Sequence, residues 1–167
     1  MNRLRLAALA AVFAAASPAL ADEATGCGAF KWPVDHERAA LLATRAPVAN
    51  AGALPYGDAV TLKLQPAAEA GLPQPPERAP KAAQSYAGHF TLAAPAKPGL
   101  YRITLGAEAW VDVIDNGAFV HSKGFSGAKD CEGVRKVVRF DLPARPVTVQ
   151  FSGAQGAELP VMVTPAE

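Results

Sequence analysis

The sequence predicts a mainly β fold: an antiparallel β-sandwich or jelly roll of about eight strands with one short N-terminal helix. Three observations lead there. From residue 59 onward, apolar residues recur with a period of two. Turn-forming Gly, Pro, Asn and Asp interrupt these runs every ~8–12 residues. No strand–helix–strand spacing occurs, so nothing points to a parallel sheet.

Residues 1–21 have the layout of a secretory signal. Arg3 and Arg5 make a positive start, Leu6 to Ala16 is an apolar run too short to span a bilayer, and Ala19-Leu20-Ala21 is a cleavage site of the A-x-A type. The expected organisation is a signal peptide, 1–21, followed by a single β-sandwich domain, 22–167, located in the periplasm or secreted. The chain has 16 basic and 15 acidic residues. Arg3 and Arg5 leave with the signal, so the mature charge is close to balanced. No field of one sign is present to draw nucleic acid. No second apolar run is long enough for a membrane span.

Cys27 and Cys131 are the only cysteines. An exported chain meets an oxidising compartment, so an even pair predicts a disulfide. There is no C-x-x-C motif and hence no sign of a redox-active dithiol.

The elements follow in order. "PVDHERAALLA", 33–43, predicts a helix, with Asp35 at its start and Val34, Leu41 and Leu42 on its apolar face. "AVTLKLQ", 59–65, alternates as a half-buried strand that Pro66 ends. Residues 66–84 hold Pro66, Pro73, Pro75, Pro76 and Pro80 and predict a long surface crossover between two sheets. Strands are expected at 88–94, 98–106, 109–115, 118–122, 134–142, 146–153 and 160–165. In the second of these, Tyr101, Ile103 and Leu105 point inward. Asp115-Asn116-Gly117 predicts a tight hairpin, because Asn and Gly tolerate positive φ. Arg135, Lys136 and Arg139 within a β run suggest a charged edge strand or an anion-binding patch.

The run "GLYRITLGAEAWVDVIDNGAFV" and the later "GFSGAKDCEGVRKVVRFDLPARPVTVQFSG" resemble bacterial pre-peptidase C-terminal domains, which are secreted β-sandwiches. The mature chain also resembles a group of small exported proteobacterial proteins of unknown function that often carry the label homogentisate 1,2-dioxygenase. The first resemblance implies the sandwich. The label implies Fe(II) held by two histidines and a glutamate. This chain's histidines, His36, His89 and His121, form no H-x-H or H-x-x-x-H pair.

Two functional readings with a site follow, beside a third, a purely structural envelope protein with neither patch nor site. One is a non-catalytic binding or accessory module that recognises a protein or glycan through an exposed aromatic and polar face including Trp110, with Asp112 and Tyr101 as further candidate binding residues. It needs no cofactor. The other is a small iron-dependent oxygenase in which His89 and His121, on strands, converge with Glu108 as the carboxylate. No G-x-S-x-G elbow, phosphate loop or dinucleotide fingerprint is present.

Overall fold

The computed structural model describes residues 24–166, so the expected signal and its cleavage site lie outside the described residues. One α-helix, α1 (Asp35–Leu42), precedes twelve strands. These are β1 (Ala46–Val48), β2 (Ala53–Leu54), β3 (Ala59–Lys63), β4 (Gln65–Pro66), β5 (Tyr86–Leu92) and β6 (Gly99–Leu105), then β7 (Trp110–Asp115), β8 (Ala118–Val120), β9 (Gly124–Gly127), β10 (Lys136–Leu142), β11 (Val147–Ala154) and β12 (Glu158–Pro165). The first sheet runs β1-β3-β12-β6-β10-β9. The second runs β2-β5-β11-β7-β8, with β4 also on β5. The architecture is the expected β-sandwich. All pairings are antiparallel except β1 on β3 and β2 on β5, which are parallel.

Alternation builds the core. Leu62, Ile103, Leu105, Phe140 and Val161 from the first sheet meet Phe90, Leu92, Val113, Val149 and Phe151 from the second. Tyr101 belongs to this core, with its ring 5.3 Å from that of Tyr56. Burial and then the neighbouring Tyr101 push the Tyr56 hydroxyl up to about 12. The predicted Asn116-Gly117 hairpin joins β7 to β8, and both residues take positive φ, 48° and 80°. Next to that turn, Arg145 Nε donates to Asp115 Oδ1 at 2.7 Å, and this bond holds the Asp115 carboxyl below its usual range.

Three expectations need correction. The charged strand β10 is not an edge: it lies between β6 and β9. The proline-rich run 66–84 does not cross between sheets, because it joins β4 to β5 within the second sheet. The change of sheet occurs earlier, at Leu64, between β3 and β4. Finally, α1 buries Leu41 but leaves Leu42 46% exposed, and it turns Glu37 inward instead.

That inward carboxylate has a reason. The outer face of the first sheet carries Val137 and Met162, which the N-terminal segment covers with Val34 and Leu41. The same face carries Arg102 and Arg139 directly opposite one another, a repulsive pair. Glu37, 1% exposed, lies 3.1 Å from Arg102 Nε and accepts from the Thr164 hydroxyl at 2.9 Å. Trp32 stacks on the Arg139 guanidinium at 3.7 Å. Burial, then the charge of Arg102, lowers the pKa of Arg139. The expected disulfide, Cys27–Cys131, ties this covering segment to the turn before β10. It closes a loop of about a hundred residues, which corresponds to about 4–5 kcal/mol on a chain-entropy account.

Glu37→Ala leaves the Arg102 side chain, only 13% exposed, without its counter-charge. We expect a loss of about 3 kcal/mol in urea unfolding; a loss below about 1 kcal/mol would show that the pair does not hold the segment down. The Asp115 pair is tested by NMR titration. The folded pKa is depressed, so its stabilisation is present above the ordinary carboxylate value and fades as pH falls through the folded value. Arg145→Gln should move the Asp115 titration upward.

Candidate functional site

β7 delivers the aromatic residue on which the site is built. Its alternation sends Val111 and Val113 into the core and Trp110, Asp112 and Ile114 to the outer face of the second sheet. Asp112 is nevertheless only 2% exposed. The loop 66–84 folds back over this face and covers it. Asp112 Oδ1 accepts from Trp110 Nε1 at 2.5 Å. Its Oδ2 accepts from Gln150 Nε2 at 3.0 Å and from the Glu77 backbone N–H at 3.4 Å. Gln150, wholly buried on the adjacent strand, also donates to the Gln74 carbonyl at 3.2 Å. A buried carboxylate needs such donors, since an unsatisfied one costs several kcal/mol. One strand side chain therefore fixes both the indole and the loop.

The pinned loop forms one wall of a cleft of about 510 Å³. Arg78 and Lys81 come from the loop, Glu108 from the approach to β7, Trp110 from its first position, Phe125 from β9 and Lys136 from β10. Arg78 lies 5.5 Å and Lys136 Nζ 5.3 Å from the Trp110 ring, within cation–π range. A second cavity of about 240 Å³ shares Arg78, Trp110, Phe125 and Lys136, and its floor is Val111, Val138 and Phe140. These last three face inward from the two sheets. The second cavity is therefore the open mouth of the sandwich, where the edge strands β8 and β9 part. Phe125 stands at this mouth, 60% exposed, with Lys31 Nζ 5.7 Å from its ring.

The sequence-predicted residues distribute unevenly. Trp110 is half-buried in the cleft wall. Asp112 lies beneath the loop and lines neither cavity. Tyr101 is a core residue whose hydroxyl donates to the Lys97 carbonyl at 3.0 Å. For the oxygenase reading, no three His, Cys, Asp or Glu side chains gather as a metal-holding group among the described residues. Glu108 instead faces Arg135 at 2.9 Å and Lys136 at 3.9 Å. His121 Nδ1 is 3.4 Å from Glu77, and His89 lies on β5, opposite Gln150. His89, His121 and Glu108 are thus not brought together as a triad.

Sequence reasoning missed Arg78, Lys81 and Phe125. The signal for Phe125 was a lone aromatic between turn residues in "KGFSG". The loop cations had no local signal, because only tertiary folding of the loop carries them to Trp110. The chain matches no family model, no curated protein and no solved structure.

Asp112→Ala strips an acceptor from the buried Gln150 amide and the half-buried Trp110 indole. We expect a loss of about 2–3 kcal/mol and, in a Trp32→Phe background, a red shift of Trp110 emission. Unchanged emission would show that Asp112 does not hold the indole.

Proposed function

We propose that the protein is an exported, non-catalytic binding module that recognises acidic groups of a protein or glycan partner through the cleft at Trp110. One observation carries this reading. The cleft combines aromatic surface at Trp110 and Phe125 with the loop cations Arg78 and Lys81, beside Arg135 and Lys136, which face Glu108, and Glu77 lines the joined cavity.

The physics favours recognition over reaction. Cation–π contact holds Arg78 and Lys136 in place before a ligand arrives, which reduces the ordering cost of binding. An exposed phenylalanine beside charge offers a desolvated contact of the kind that anchors interfaces. The disulfide fits an oxidising compartment, and among the described residues no helix is long and apolar enough to cross a membrane.

The test is titration calorimetry of the oxidised protein with polygalacturonate and poly-aspartate, at low and high salt. We expect binding that weakens as salt rises. Phe125→Ala and Arg78→Gln should each weaken it by about tenfold, ~1.4 kcal/mol. Failure to bind both polyanions, or binding by both variants as tight as that of the unaltered protein, would overturn the reading.

A further inference from the structure

The two joined cavities differ in chemistry. The larger is open, mixed and rimmed by Arg78, Lys81 and Lys136. The smaller is lined by Val111, Val138 and Phe140, by the same Arg78, and by Glu77, whose carboxylate lies 3.4 Å from His121 Nδ1. A ligand that fills both has an apolar group within a few bonds of an anion. It also has further length to lie along the outer cleft.

A polypeptide's last residue meets that description. Its α-carboxylate is attached directly to the carbon that bears its side chain. We propose that the mouth of the sandwich captures the C-terminal residue of a partner polypeptide, with an apolar or aromatic side chain in the slot over Val111, Val138 and Phe140 and the terminal carboxylate at Arg78. This rests on the cleft reading above and names its partner. Arg78 is exposed, and among the described residues no carboxylate is paired with it. Its planar guanidinium suits bidentate carboxylate recognition. The Trp110 ring supports it from one side, so little side-chain freedom is lost on binding. The residues before the C-terminus then lie along the larger cavity towards Lys81, and Phe125 closes over the inserted side chain. A neutral sugar ring satisfies neither the apolar floor nor the guanidinium. An acidic sugar satisfies only the latter.

The experiment uses the oxidised, exported protein and three probes: a fluorescein-labelled Gly-Ser-Gly-Ser-Phe peptide with a free C-terminus, the same peptide as its C-terminal amide, and polygalacturonate. Anisotropy should show binding of the free acid and at least about tenfold weaker binding of the amide. Arg78→Gln should reduce the preference for the acid to near unity. Val138→Trp, which fills the slot, should abolish peptide binding; because it alters the core, Arg78→Gln at the surface decides the matter if Val138→Trp does not fold. Equal binding of acid and amide, or an acid preference unchanged in Arg78→Gln, overturns the proposal. If polygalacturonate binds in a Phe125-dependent manner and neither peptide does, C-terminal capture falls and the anion-binding cleft stands. If none of the three binds, both fall.

Discussion

The Asp112 carboxylate is the constraint on which the candidate site depends. It lies on a sheet face that a simple sandwich would leave in water, yet it is almost fully covered. A covered carboxylate must be hydrogen-bonded, and the groups that bond it are the indole of Trp110, the amide of Gln150 and the backbone at Glu77. Each bond has a consequence at a distance. The indole is turned to form a cleft wall, and the loop is held where Arg78 meets that wall. A proline-rich segment orders at low entropic cost, since proline already restricts its backbone. A few polar contacts therefore suffice to seat it, without the apolar face that a helix would need.

The opposite sheet solves a related problem differently. Its outer face has apolar residues, Val137 and Met162, flanked by two arginines opposite one another. The N-terminal segment covers that face. Glu37 and Trp32 offset the two arginines, and the disulfide fixes the segment's start. Both sheets are thus partly buried on two sides. This explains runs such as "VMV" in β12 and "VV" in β10, where apolar residues stand next to one another instead of alternating.

Much of the fold was legible because alternation is local. Each of the eight expected strands has an observed counterpart, and the Asn116-Gly117 hairpin and the cysteine pairing are as read. The four additional strands, β1, β2, β4 and β9, have two to four residues each, too few for a period to register. The candidate site was half legible. Trp110 followed from its strand position. Asp112 was assigned the correct face but the wrong environment, because a loop that covers a sheet with backbone groups and prolines leaves no hydrophobic pattern in the sequence. Arg78 and Lys81 lie more than twenty-five residues before Trp110. Their meeting is a property of the folded loop.

If Asp112 builds the cleft, the bonds it makes persist in solution. Native-state hydrogen exchange, read by NMR, reports on two of them: the Trp110 indole N–H and the Glu77 amide. Both should exchange far more slowly than the amides of Ala79 and Lys81 in the same loop, and both should become fast together in Asp112→Ala. Rapid exchange of the Trp110 indole and the Glu77 amide in the unaltered protein would contradict the account, since the loop would then not be seated and the cleft it walls would not persist.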